Sequence, residues 1–164
     1  MGSILDFESQ KGDTVSEDLF TEYSNLLADL NEAVNSVSEV VLATPPSAGE
    51  WSGAFILHHI ADCEIHFHDR YVRALAEDRP EIKFFYEEAY PEALSYDTRS
   101  SRTSLTSINA INNLTLEILS SIDEESWERI SLSNTGKELS IKALFEKAVG
   151  HRKDHLNQLK KAIS

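Results

Sequence analysis

Cysteine is nearly absent: Cys63 stands alone, so no intramolecular disulfide framework can form and a reducing compartment fits. Proline and glycine are also scarce, at four and six residues, which leaves room for long regular elements. No apolar run is long enough to span a bilayer, and the first residues lack the apolar stretch of a secretory signal. Met1-Gly2-Ser3 opens like a myristoylation site, but Asp6 stands where Ser or Thr is required. Cations are few, 15 Lys and Arg against 28 Asp and Glu, for a net charge of -13. Such a surface repels nucleic acid and anionic membranes unless its basic residues gather on one face. The densest cationic runs are only HRKDH and Lys160-Lys161. The expectation is a soluble, cytoplasmic protein.

What remains supports a packed core. With 164 residues and 41% hydrophobic content, the chain is expected to be one domain, residues 1–164, with 1–13 as a flexible lead-in. Apolar residues Leu19, Tyr23, Leu26, Leu30, Val34, Val37 and Val41 recur at three- and four-residue steps. They predict one amphipathic helix, capped at Thr14 or Ser16 and stopped by Pro45-Pro46. A second helix is expected from about Ser47–Trp51 to Glu77, a third from Ser101 to Ile122, and a fourth from Leu139 to Ile163. Trp127 anchors the loop before the last helix, where Ile130 and Leu132 alternate like a strand without an obvious partner. The fold class is therefore all-α, a four-helix bundle. Residues 79–100 are long enough to cross the whole bundle, since ~20 extended residues span ~65 Å. An up-down-down-up topology is thus allowed. Phe84, Phe85, Tyr86, Tyr90 and Tyr96 in this crossover either cover the bundle or form a partner surface.

Histidine carries the chemical signal. His151 and His155 are four residues apart and lie one above the other on a helix face, half of a divalent-metal site. On the second helix, His59 falls on a shoulder of the apolar stripe, together with Asp62, His66 and Arg70, while His58 points about 100° further, toward solvent. His59 lies roughly 13 Å from the start of its helix and His155 roughly 12 Å from the end of its own. If the two helices are antiparallel, the three imidazoles share a height. Three protein ligands with an open position are the signature of a reactive centre, whereas structural zinc sites are closed by four. His66 is the rival ligand. Cys63, at i+4 from His59, could ligate but reads better as a small apolar core residue. His58 and His68 read as solvated.

Trp51-Ser52, His59-Ile60-Ala61-Asp62 and the final His151, His155 and Gln158 resemble the DinB-like superfamily, as do Arg70 and Gly136-Lys137-Glu138-Leu139. The resemblance covers nearly the whole chain. It implies an up-down-down-up bundle, a three-histidine metal site (His59, His151, His155) holding zinc or nickel, and often a homodimer. Related branches are transferases and isomerases that use bacillithiol, mycothiol or glutathione. The functional expectation is a metal-dependent transferase acting on a small thiol and an electrophilic substrate. Asp62 and Arg70 are candidate catalytic residues: Asp62 orienting an imidazole or acting as base, Arg70 holding a thiol carboxylate. The plainer reading of those two is a surface ion pair. The alternative function is a non-catalytic metal-binding or stress-associated interaction module; a purely structural bundle is the third.

Overall fold

The computed structural model describes residues 17–83 and 85–164. The expected lead-in, the caps at Thr14 or Ser16, and Phe84 lie outside them. In chain order the elements are α1 (Glu17–Asn35), α2 (Glu39–Ala43), α3 (Gly53–Ala76), β1 (Glu81–Ile82), a 3-10 turn (Glu87–Ala89), α4 (Tyr90–Ala93), α5 (Ser101–Leu119), α6 (Glu124–Trp127), β2 (Ile130–Ser133), β3 (Glu138–Ser140) and α7 (Ile141–Ala162). Serine starts three of the four long helices. The hydroxyls of Ser52, Ser100 and Ser140 accept the backbone N–H three residues on, each satisfying a donor that the first turn leaves without a partner. At the far end of α3, Arg129 donates to the carbonyls of Ala74 and Glu77 and satisfies terminal acceptors.

Residue pairings fix the topology. Between α3 and α5, His58 meets Ser104 and His68 meets Thr115, so numbers rise together and the helices are parallel. Between α3 and α7, Glu64 meets Arg152 and Tyr71 meets Leu144, so these two run antiparallel. Between α1 and α7, Glu22 meets Lys153 and Asp29 meets Lys160, a parallel pair. The bundle is therefore up-down-down-up, with the long crossover between α3 and α5. Its interior divides into two apolar clusters. One gathers Phe67, Tyr71, Trp127, Ile141, Leu144 and Phe145. The other gathers Leu30, Ile56, Leu57, Ile108, Leu156 and Leu159.

A buried polar belt separates them. Arg152, with no exposed surface, donates from Nε to Glu64 at 3.0 Å and from Nη1 to the Tyr23 carbonyl at 3.2 Å. Its other terminal nitrogen stands 2.5 Å from the same Glu64 oxygen, without the alignment of a hydrogen bond. Tyr23 closes the belt by donating to the second Glu64 oxygen at 3.1 Å. At the adjoining end of the bundle Gly53 is tightly enclosed: a Cβ there would lie 2.7 Å from Ile163 Cγ2. This contact holds the start of α3 against the end of α7 and so fixes their relative height.

Two local features depart from the sequence reading, and a third decides between its alternatives. The first predicted helix is two. Asn35, Ser36 and Ser38 are poor helix interior residues, and Ser38 instead caps α2 through the Val41 N–H. Leu42 then turns inward while Val41 is left exposed. The strand at 130–133 has partners: β2 pairs with β1 in parallel and with β3 antiparallel. The β2–β3 turn passes through Gly136 at φ +77°, a left-handed conformation that suits glycine. Finally, most crossover aromatics cover the bundle. Tyr96 is buried against Phe55 and His58, and Phe85 stacks on His66, while Tyr86 is 72% exposed. Among the described residues, no helix is long and apolar enough to cross a membrane.

Candidate metal centre

The second and third turns of α3 carry His59 into the seam with α7, level with the gap between the two apolar clusters. Its Nε2 stands 3.3 Å from His151 Nε2 and 3.1 Å from His155 Nε2. The antiparallel seam thus brings together the three histidines singled out in the sequence. Each ring is held from behind. Trp51 packs edge-on to His59, Phe67 packs against His151, and His155 donates from Nδ1 to Gln158 Oε1 at 2.9 Å. Because that amide oxygen can only accept, the proton sits on Nδ1 and Nε2 of His155 presents a lone pair to the cluster.

The electrostatics keep the other two rings neutral. Burial, and then the neighbouring His155, lower the pKa of His59 to about 4. Burial, and then His155 and His59, lower that of His151 to about 3. At neutral pH these are imidazoles, the ligating form. Ligands tetrahedrally placed 2.0–2.1 Å from an ion are about 3.3–3.4 Å apart. The nitrogen spacings of 3.1 and 3.3 Å therefore suit a shared divalent ion.

Two further donors adjoin His59. Cys63 Sγ, Glu87, His151 and His59 offer atoms all within 4.8 Å of one another, a set that does not include His155. The sulfur is poorly placed. It lies 3.5 Å from Nε2 of His59 but also 3.8 Å from Nδ1, which puts it beside the ring rather than ahead of the Nε2 lone pair. A sulfur sharing an ion with Nε2 would stand roughly 5 Å from Nδ1 at ordinary zinc–ligand lengths. Burial, then Glu87, also pushes the thiol pKa up. Cys63 is buried and packs in the cluster of Phe67 and Tyr71, and its sulfur stays within reach of the same centre. Glu87 is different: its Oε2 lies 3.6 Å from His59 Nε2, and its side chain is 51% exposed. It comes from the 3-10 turn of the crossover, and no helical spacing pointed to it.

The remaining candidates are placed otherwise than expected. Asp62 and Arg70 form no ion pair with each other. Asp62 is buried and accepts two 2.8 Å bonds from Arg99 and one of 2.6 Å from Tyr96. Both its oxygens are occupied, and no bond to a histidine is formed. Arg70 lies between the rings of Phe67 and Phe85 and donates to the Lys83 carbonyl at 3.3 Å. It lines a cavity of about 490 Å³ with His66, Lys83 and Tyr90. His66 stacks on Phe85 and bonds Tyr90 instead of joining the cluster. His58 is not solvated: it is fully buried and bonds Ser104, because α3 packs against α5 as well as α7. His68, partly buried, bonds Thr115 on the same face. A second cavity, about 460 Å³, reaches the cluster through His155 and is bounded by Glu50, Trp51, Gln158 and Lys161.

Comparisons with known proteins agree on the family and the fold. The family described as the DinB superfamily matches residues 22–159. A protein of Oceanobacillus iheyensis, named as a candidate metal-dependent hydrolase, is 27% identical over 136 residues, spanning 82% of this chain and 78% of its own. A Bacillus cereus protein with the same description is 25% identical over 146 residues, spanning 87% and 84%. Among solved structures, YfiT from Bacillus subtilis, described as a probable metal-dependent hydrolase with an unusual four-helix bundle topology, superimposes with a TM-score of 0.78. It is 20% identical, over 94% of this chain and 93% of its own. The mycothiol-dependent maleylpyruvate isomerase superimposes at 0.71 with 12% identity, over 87% of this chain and 60% of its own.

Proposed function

The chain belongs to the DinB superfamily, and on that premise we propose that it is a metal-dependent enzyme in which His59, His151 and His155 hold zinc or nickel and a low-molecular-weight thiol is the nucleophile. The observation that carries this reading is the meeting of three imidazole nitrogens, 3.1 and 3.3 Å apart, at the wall of a 460 Å³ cavity. A divalent ion held there supplies a site at which a thiol is bound as its thiolate, the reactive form, near neutral pH. The protein's own part is placement. Gln158 fixes the His155 tautomer, and Trp51 and Phe67 fix the other two rings. Asp62, saturated by Arg99 and Tyr96, positions the crossover on α3 and is a poor base. Arg70 lines the separate 490 Å³ cavity, which none of the three histidines borders, so its expected role of holding a thiol carboxylate requires a thiol that reaches from one cavity to the other. The expected assembly is a homodimer in the cytoplasm.

A second reading, hydrolysis with water as nucleophile, is favoured by the descriptions of the relatives. The assay that separates them follows one electrophile with bacillithiol, mycothiol or glutathione, and with water alone. Thiol-dependent turnover abolished by chelation supports the transferase. Chelation-sensitive turnover with water alone supports the hydrolase. Stoichiometric metal without turnover in either supports the non-catalytic metal-binding module.

A further inference from the structure

Resting on the three-histidine reading, we infer that Glu87 is a fourth, displaceable donor to the same centre, a carboxylate strap that must leave before a substrate's donor atom can enter. Glu87 Oε2 lies 3.6 Å from His59 Nε2 and within 4.8 Å of the His151 donor atom. An oxygen sharing a tetrahedral ion with Nε2 would lie about 3.3–3.4 Å away. A carboxylate reaching only a bound water would stand farther out. At 3.6 Å from one histidine donor and within 4.8 Å of a second, Glu87 is near enough to enter the inner position with a small movement of its turn.

The four donors differ in how firmly they are held. His59, His151 and His155 sit on helices of 24 and 22 residues that pack along a common seam. Glu87 opens a three-residue 3-10 turn and keeps half of its side chain in solvent. Moving it disturbs little packing, whereas moving any of the histidines disturbs the seam. The charges point the same way. Three neutral imidazoles leave both positive charges of a divalent ion uncompensated, and a carboxylate offsets one of them. A thiolate can replace it without changing the total. Glu87 would thus keep water from the centre at rest and select for anionic incoming donors.

Cobalt(II) is a suitable probe, because its visible bands weaken as coordination rises above four. Tag-free protein freed of metal is titrated with cobalt(II) alone, then with 2-mercaptoethanol, for the wild type and for Glu87→Gln, Glu87→Ala and His151→Ala. The wild type should give the intense bands of a four-coordinate centre. Glu87→Ala should bind cobalt about tenfold more weakly, with bands shifted in position as one water takes the vacated place, and Glu87→Gln should fall between. Added thiol should bind Glu87→Ala at lower concentration than the wild type, since no carboxylate has to be displaced. Glu87 variants that match the wild type in affinity, spectrum and thiol response would overturn the strap while leaving the histidine centre intact. A wild type that takes up no cobalt, or His151→Ala that takes it up unchanged, would overturn the histidine centre and the strap together.

Discussion

The candidate centre draws on two regions built by different rules. Along the α3–α7 seam, donors follow helical geometry: His151 and His155 are one turn apart, and antiparallel packing carries His59 to their level. The crossover between α3 and α5 brings Glu87 to the same place from a 3-10 turn, and anchors itself on α3 through Tyr96 and Arg99, which bond Asp62. The seam is stiff because the buried Arg152–Glu64 pair lies directly beside it. The crossover is held at its ends and has exposed side chains between them. On the proposed reading the seam holds an ion and the crossover controls access to it. Changes in the seam should therefore cost stability, and changes in the crossover should alter ligand exchange.

The largest expected effect tests the stiffness of the seam. Glu64→Gln leaves the Arg152 charge buried without its counter-ion, which typically costs about 3–5 kcal/mol. The melting temperature should fall by roughly 10 °C or more, read by thermal denaturation monitored by circular dichroism. A shift of only a degree or two would mean the belt is not what holds the helices in register.

Acid should next find the buried histidines of α3 and α7. Burial lowers His58 to about 4, as it does His59, and lowers His151 to about 3. All three are bases whose folded pKa lies below the unfolded value of about 6.5, so the unfolded state binds more protons between those values. Stability of the metal-free protein is then full above about pH 6.5 and is lost as pH falls toward about 4, on the order of 3 kcal/mol for each ring. Denaturant titrations across that range check it. A flat profile would mean that these rings are solvated.

Divalent metal should act in the opposite direction. At a hundredfold excess over Kd, zinc or nickel adds about 2.7 kcal/mol to the folded state. His151→Ala should remove that increment. His58→Ala should keep it while lowering the baseline, since His58 is a buried α3–α5 contact and no ligand. Equal loss of the increment from both variants would erase the distinction between seam ligands and packing histidines.

The smallest expected effect on stability lies in the crossover. Tyr86→Ser replaces a side chain that is 72% exposed, so folding should change by less than about 0.5 kcal/mol. If the protein is the proposed homodimer and Tyr86 lies in its twofold contact, the variant should shift light-scattering mass from two chains toward one. A wild-type mass of one chain at micromolar concentration would remove the dimer.

The sequence revealed the periodic parts of the molecule and missed the non-periodic ones. Four long helices and three convergent histidines follow from spacing of 3.6 residues per turn. The wheel failed at His58 because it ranked faces by one apolar stripe, whereas α3 packs against both α5 and α7 and so buries two faces. It failed at Asp62 because the partner is Arg99, 37 residues away in a segment with no repeat to give it a direction. Strand β1 is two residues long and leaves no alternation to read. Glu87 was hidden for the same reason: it is one of several acidic residues in an acidic chain, and only the folded crossover selects it.

The central claim is that His59, His151 and His155 form one metal centre. Elemental analysis of tag-free protein and of His151→Ala, purified side by side, tests it most directly. The account predicts close to one zinc or nickel per wild-type chain and little or none in the variant. Wild-type protein that takes up no divalent metal, or a variant that retains the full complement, would contradict it.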